Sequence, residues 1–458
     1  MRTGGLSGDA PRVSLCMIAK DEEAFLADCL ASVRGVVDEA IVVDTGSTDR
    51  TVEIAERAGA RVLSFDWSDD FARARNVGVD AATGTHVLVL DADERLAPRM
   101  GPNLLEAARD PELLLGCLPL YNASAMDADA EEVLSGEKRL GEPVFVPRFF
   151  RRLPEMRFER RVHETLTSGF NVLQARGEGL SKAVGAALLH YGDVPSHRVG
   201  MRKDDRNERL LRMSLEDDPS DGEVAGYLVV QLLRDGRADE ARAVGERHLP
   251  PFITRNEGRP AGHLPENMVR IGYALGLVQA EQGDAARALR TVRAAQRFTP
   301  DGHPNLVYVE GLSHLGLGDL DAAEACFREA LVLDGRRYAQ PVLEHVTDEL
   351  PRLKLAGIQI ARGDADAARR ELPVADGPWA FATRLMQAEI ELEAGRPAEA
   401  MEILAPFVDV DGLAPDWHVL VHRALSALGK SAEGLAEVAA SARRGAWLEP
   451  RRRPVGVG

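Results

Sequence analysis

Val87-Leu88-Val89-Leu90-Asp91-Ala92-Asp93-Glu94 sets four apolar residues directly before two carboxylates spaced i and i+2. A short uninterrupted apolar run that stops at polar residues reads as a strand buried on both faces, as parallel sheets require. In open parallel sheets ligands bind in the crevice at the carboxyl ends of the strands, and that is where Asp91 and Asp93 fall. Divalent ions of the Mg2+ or Mn2+ kind take oxygen ligands there and complete their shells with water and phosphate oxygens. Taken alone, an Asp-x-Asp pair says little, because acidic pairs at loop starts commonly just face water or cap a helix.

The residues upstream strengthen it. Val13–Ile18 (VSLCMI), Ala40–Val43, Arg61–Phe65 and His86–Leu90 are short β-branched or apolar runs separated by helical stretches, the pattern of parallel strands joined by crossover helices. Asp21, Asp44 and Asp91 lie where these runs end. Thr45-Gly46-Ser47-Thr48-Asp49 supplies turn and cap chemistry for a helix over Thr51–Ala58, whose start places free N–H groups beside Asp44. Residues 12–199 therefore form an α/β unit after a flexible 1–11, with a less regular stretch at 141–192 that ends in Leu188-Leu189-His190-Tyr191-Gly192.

Beyond residue 200 the strands stop and the sequence turns Ala-, Leu-, Arg- and Glu-rich. A Gly-x4-Ala pattern recurs at Gly236/Ala241, Gly283/Ala288, Gly318/Ala323, Gly363/Ala368 and Gly395/Ala400, with a weaker echo at Gly429/Gly434. The steps between the glycines are 47, 35, 45, 32 and 34 residues. Three of these lie near the period of tetratricopeptide repeats, in which glycine turns the chain between paired helices and alanine permits their close approach. Residues 200–445 are expected to be an all-α tetratricopeptide-like solenoid followed by a flexible tail at 446–458, with a helix from about His197 to Leu215 joining the halves.

Bulk properties agree with two domains. A chain of 458 residues exceeds the ~250–300 at which single cores stop growing. With 45% apolar and 28% charged residues it has enough apolar surface to fold. A net charge of −17 argues against nucleic acid as a general partner, since binding it needs a basic face. The four cysteines, Cys16, Cys29, Cys117 and Cys326, form no CxxC pair, so reduced and mostly buried thiols are expected. Met1–Gly8 has no apolar leader core, and the chain has no run of about eighteen apolar residues, so no transmembrane segment is expected and the protein is placed in the cytoplasm.

The motifs taken together resemble a known family. Val13–Glu23 (VSLCMIAKDEE), Ile41–Thr51 (IVVDTGSTDRT), Phe65–Gly78 (FDWSDDFARARNVG) and Val87–Leu96 (VLVLDADERL) are similar, in order and spacing, to the family 2 glycosyltransferases of the GT-A fold. The resemblance extends over Pro147–Arg151, Arg161–Glu164 and His190–Gly192, and the branch it most resembles carries a tetratricopeptide tail. It implies a metal-dependent, hexosyl-transferring enzyme that uses a nucleotide-diphosphate sugar and a divalent cation, Mg2+ or Mn2+. By that resemblance Asp44 contacts the base or ribose, Arg75 the base or diphosphate, and Asp91 the ribose and ion. Asp93 would ligate the metal, and Asp69 or Asp70 order the loop over the donor. Relatives usually carry asparagine where this chain has Asp21, which shifts a donor-side amide to a carboxylate; the plainer alternative for Asp21 is a cap for a helix over Glu22–Val33.

An inverting transfer needs a base for the acceptor's hydroxyl or thiol. Glu164, in Arg161-Val162-His163-Glu164-Thr165-Leu166, is the candidate, with a structural turn as the alternative. His163 or His190 is a candidate further metal ligand. Arg148, Arg151, Arg152, Arg157, Arg160 and Arg161 form a basic patch of which one or two members are expected to meet substrate. Lys203, Arg206 and Asn207 are expected to fasten the joining helix. A nucleotidyltransferase lacks support because Ala19–Glu23 offers no glycine-rich phosphate loop. A catalytically weak domain serving as an interaction scaffold is the other alternative, against which Asp44, Asp91 and Asp93 stand intact. Tetratricopeptide-tailed relatives act on peptides or build saccharides, so the acceptor is a peptide, protein or saccharide, and the repeats offer a surface for a protein partner or self-association.

Overall fold

Successive residues of the first strand enter opposite cores: Val13, Leu15, Met17 and Ala19 join one apolar cluster with Leu88 and Leu90, while Cys16 joins the other with Ile41, Val87 and Val89. Burial of both faces is why these strands read as continuous apolar runs. In this computed structural model, which describes residues 10–194, 203–257, 265–299, 302–333, 345–375, 379–407 and 415–429, the chain divides into two compact units, Met1–Pro219 and Ser220–Gly458. Most of the expected leading segment 1–11, the tail 446–458, Gly434 and the start of the joining helix at His197 lie outside the described residues.

In the first unit β1 (Val13–Ala19), β2 (Glu39–Asp44), β3 (Arg61–Ser64) and β4 (His86–Val89) are parallel, in the order β3-β2-β1-β4, with α1 (Leu26–Ser32), α2 (Thr51–Arg57) and α3 (Phe71–Ala81) as crossovers. The helix expected over Glu22–Val33 begins only at Leu26, after a turn in which the Glu22 carbonyl accepts from the Phe25 and Leu26 amides. Its cap position is Phe25, so Asp21 is not a helix cap.

The stretch expected to be irregular is largely sheet. After β5 (Glu94–Leu96) and α4 (Gly101–Ala107), β6 (Leu113–Ala123) runs into α5 (Ala130–Ser135) and then the long β7 (Arg139–Arg151). Next come α6 (Thr167–Ala175), β8 (Leu180–Ala183) and β9 (Leu188–His190). The sheet continues β4-β7-β6-β9-β5, with β7 antiparallel to both β4 and β6. Pro119, Pro143 and Pro147 interrupt any regular alternation in β6 and β7, and the register slips between Gly116 and Cys117. This mixed sheet, parallel in its first half, is the GT-A, Rossmann-like architecture. β9 pairs with β5 so that Glu94 stands opposite His190. The last helix of the unit, α7 (Lys203–Asp217), is the described part of the joining helix.

The second unit is helical throughout its described residues: α8 (Gly222–Arg234), α9 (Ala238–Asn256), α10 (Pro265–Glu281), α11 (Ala285–Gln296), α12 (Pro304–Gly316) and α13 (Leu320–Val332), then α14 (Glu349–Ala361), α15 (Ala365–Glu371), α16 (Ala380–Glu393), α17 (Pro397–Leu404) and α18 (Pro415–Ala427). Successive helices pack as hairpins. The glycines of the recurring pattern do what it demands: Gly236, Gly283, Gly318, Gly363 and Gly395 hold left-handed φ of 73–81°, and Ala241, Ala288, Ala323, Ala368 and Ala400 are fully buried. Asp284, Asp319 and Asp364, each next to its glycine, cap the helices that follow.

Candidate active site

β4 ends at Val89, and two residues later Asp91 meets two arginines. Arg75 comes from α3 and Arg148 from β7; Nη2 of each lies 2.7 Å from one oxygen of the Asp91 carboxylate. Arg148 also donates to Glu94 Oε1 at 2.5 Å, and Glu94 Oε2 accepts from the Asp91 amide at 3.0 Å. Arg75 Nε binds Glu164 Oε1. Burial opposes the charge on Asp91, yet Arg148 and Arg75 outweigh it and hold the carboxyl far below its usual range. Glu94, fully buried, is shifted upward because burial exceeds the help from Arg148 and Asp91 repels it. Two buried donors in this network, Arg75 Nη1 and Arg148 Nε, have no hydrogen-bond partner. A buried N–H left unpaired costs ~1–3 kcal/mol.

Asp93 projects beside His190. His190 Nδ1 is 2.7 Å from Asn122 Oδ1, and because an amide oxygen only accepts, the ring proton is on Nδ1 and Nε2 presents a lone pair. That lone pair faces Asp93 Oδ2 at 3.5 Å. Two acceptors so placed need a positive centre between them, either a proton or a metal ion. Burial opposes charge on His190, but the hydrogen bond and charge of Asp93 prevail and raise its affinity for a proton. Gly192 walls this space: a Cβ there would come within 1.9 Å of Asp93 Oδ2 and 2.8 Å of His190 Nε2. A carboxylate and an imidazole fit a Mn2+- or Mg2+-type ion.

The loops that follow β1, β2 and β3 are stitched together. Asp44, at the end of β2, turns its carboxylate onto the Gly46 and Ser47 amides, both 3.2 Å away. Asp21 has a left-handed φ of 57° and accepts from the Thr48 amide at 2.7 Å and its hydroxyl at 3.1 Å. Asp70 caps α3 through the Arg73 amide. Asp69 makes a two-pronged pair with Arg209 of α7 at 2.6 and 2.7 Å, which, with help from Trp67, lowers its pKa to about 2. Arg206 stacks over Phe71 at 5.0 Å, and Arg161 binds Asp217 at 2.7 Å, so α7 is fastened to the loop that leads into α3.

Two family profiles match this chain: Glycosyl transferase family 2 over residues 14–152, and Tetratricopeptide repeat over 269–294, 305–329, 350–372 and 382–406. A TPR repeat-containing protein of Synechococcus elongatus is 34% identical over 326 residues, which cover 70% of this chain and 75% of that protein. The chain belongs to glycosyl transferase family 2. The SPbeta prophage-derived glycosyltransferase SunS of Bacillus subtilis is 25% identical over 213 residues, 46% of this chain and 47% of SunS. Glucosyl-3-phosphoglycerate synthase of Mycobacterium tuberculosis, crystallised with Mn2+, uridine diphosphate and phosphoglyceric acid, aligns with 44% of this chain and 78% of its own at 19% identity and a TM-score of 0.30.

In this glycosyltransferase the expected basic patch is dispersed. Arg151 binds the Leu113 and Glu178 carbonyls, Arg152 the Gly84 carbonyl, and Arg157 pairs with Asp80. Of the six, Arg148 is the one joined to Asp91. His163 is exposed at a left-handed φ of 53°; among the described residues it does not complete a three-donor cluster with Asp93 and His190. Glu94, for which the sequence suggested no role, belongs to the same buried network as Arg148. Asn122 and Gly192 adjoin Asp93 and His190; Asn122 carries no sequence signal, since it lies near the end of β6 and only the β6–β9 pairing brings it to His190.

Proposed function

We propose that this glycosyltransferase is an inverting, divalent-cation-dependent hexosyltransferase that takes its sugar from a nucleoside-diphosphate donor and passes it to a peptide or saccharide. One observation carries the proposal: at the carboxyl edge of the parallel strands, the facing acceptors Asp93 and His190 adjoin the network of Asp91, Arg75 and Arg148, two of whose buried N–H groups are unpaired. A diphosphate supplies acceptor oxygens for such donors and negative charge for a cation held by Asp93 and His190. When bound, that cation neutralises charge developing on the leaving diphosphate.

In this scheme Asp44 and Asp21 shape the loops around the nucleoside, and the Asp91 carboxylate, kept ionised by its two arginines, faces the ribose. Arg75 and Arg148 orient the diphosphate. Glu164 gives Oε1 to Arg75 and uses Oε2 to take the proton of the acceptor hydroxyl or thiol. The acceptor atom attacks the anomeric carbon as the bond to the diphosphate breaks on the opposite face, which inverts the anomeric centre. The tetratricopeptide region is assigned to holding the acceptor or a protein partner.

The test is release of nucleoside diphosphate from a panel of nucleotide sugars, with Mn2+ and with a chelator. Turnover that requires the cation and is lost in Asp93→Ala supports the proposal. Absence of turnover with every donor and with peptide and saccharide acceptors leaves the scaffold alternative instead.

A further inference from the structure

Away from the catalytic half, α12 and α13 pair across the turn at Gly318. Glu310 and His314 stand one helical turn apart on α12, hence on one face, and Cys326 comes from α13. A carboxylate oxygen, a ring nitrogen and the sulfur of these three residues all lie within 4.8 Å of one another.

The hydrogen bonds fix which nitrogen is available. Arg293 Nη2 lies 3.4 Å from His314 Nε2. A guanidinium only donates, so Nε2 bears the lone pair and the ring proton is on Nδ1. Nε2 is also 3.8 Å from Glu310 Oε1. Nδ1 is buried, makes no hydrogen bond, and has Asp319 Oδ2 3.5 Å away. A small shift of the Asp319 side chain would let this carboxylate accept the Nδ1 proton, as the partners of metal-ligating histidines do. Gln296 donates to Glu310 Oε2 at 2.7 Å and orients the carboxylate toward the cluster.

We propose that Glu310, His314 and Cys326 form a metal site, separate from the sugar-transfer site, for a borderline-soft divalent ion of the Zn2+ class, with water as fourth ligand. Mixed nitrogen, sulfur and oxygen donors are the set such ions take. Oxygen and nitrogen bonds of ~2.0–2.1 Å in a tetrahedron separate the two donors by roughly 3.3–3.4 Å, so Glu310 and His314, 3.8 Å apart, need only a small side-chain adjustment. The positive charge now at this point is Arg293, which also donates to Glu310 Oε1 at 2.9 Å. Its side chain is 56% exposed, so it can turn out to solvent as an ion enters. Cys326 is a free, half-buried cysteine, and a thiol that coordinates a divalent ion gives its proton to solvent.

Co2+ titration of the reduced full-length chain tests this, in an Asp93→Ala background that removes the proposed catalytic ligand. The expected result is one thiolate-to-cobalt charge-transfer band per chain, displaced by Zn2+. That band should vanish in Cys326→Ser, weaken about tenfold in affinity in Asp319→Asn, by analogy with other second-layer partners, and tighten in Arg293→Gln. No thiolate band at excess Co2+, or a band unchanged by Cys326→Ser, overturns the proposal. Because the front site is disabled throughout, failure here is independent of whether sugar transfer requires a cation.

Discussion

Gly192→Ala isolates the role assigned to the metal side of the active site. Gly192 is not among the glycines held at positive φ, so alanine suits its backbone, and the added methyl group acts only on its surroundings. The Cβ would stand 1.9 Å from Asp93 Oδ2. Reaching the 3.0 Å below which real contacts are essentially never seen requires the carboxylate to retreat by 1.1 Å, the difference of the two. It is the tip of a rotatable side chain, so the retreat should cost under ~1 kcal/mol of stability. Displacing a catalytic group by ~1 Å costs roughly 100-fold in rate, or ~2.7 kcal/mol in the barrier. The expected outcome is a melting transition near that of the parent, nucleoside diphosphate release slowed about 100-fold, and a higher Mn2+ requirement. Both are read in one Mn2+ titration alongside a thermal melt. Parental turnover with parental Mn2+ dependence would refute the placement of a cation between Asp93 and His190. Unfolding of the variant would refute the claim that Gly192 serves the site rather than the fold.

Asp93→Ala should abolish transfer and leave the melt within ~0.5 kcal/mol of the parent, since the side chain borders solvent and its loss opens no core. Glu164→Gln keeps an amide oxygen for Arg75 but cannot take a proton. Turnover should fall strongly while donor affinity, read by thermal shift with nucleotide sugar, changes little; an equal loss of donor affinity would place Glu164 on the donor side. His86 is buried against Phe149 at 5.3 Å, and burial, with a contribution from Arg151, lowers its pKa from 6.5 to about 4. The unfolded chain therefore binds this proton first as pH falls, so the first unit should keep its full stability above pH 6.5 and lose it progressively toward pH 4, by ~2 kcal/mol at pH 5. His86→Phe should remove that part of the slope, and an unchanged slope in denaturant melts at pH 7.5 and 5 would count against the depressed value.

The strands that the sequence made legible are those whose burial is set locally. Val13–Ala19 and His86–Val89 are apolar on both faces and therefore announce themselves, whereas β6 and β7 depend on pairing across a separation that no local window contains. Their prolines and register slips hide them further. The carboxylates were legible for the same reason, each sitting where a readable strand stops. Asn122, and the choice of Arg148 from its basic patch, were not, because they depend on which strand lies beside which: β7 brings Arg148 to Asp91, and β6 brings Asn122 to His190. Asp21 shows the limit of capping rules. The chain turns at Glu22–Phe25 before α1 begins, which frees the Asp21 carboxylate to bind Thr48 on the neighbouring loop. In the helical half the turn glycines and packed alanines were readable because each repeat meets chiefly its sequence neighbours.

The docking of α7 bears on how this gene can be cut. A catalytic fragment ended at residue 199, where the recognisable motifs stop, would discard Arg206, Arg209 and Asp217 and so strip the anchors from Phe71, Asp69 and Arg161. A fragment ended at Pro219 keeps them. For domain exchange, the transferable catalytic module is the motif region together with its trailing helix.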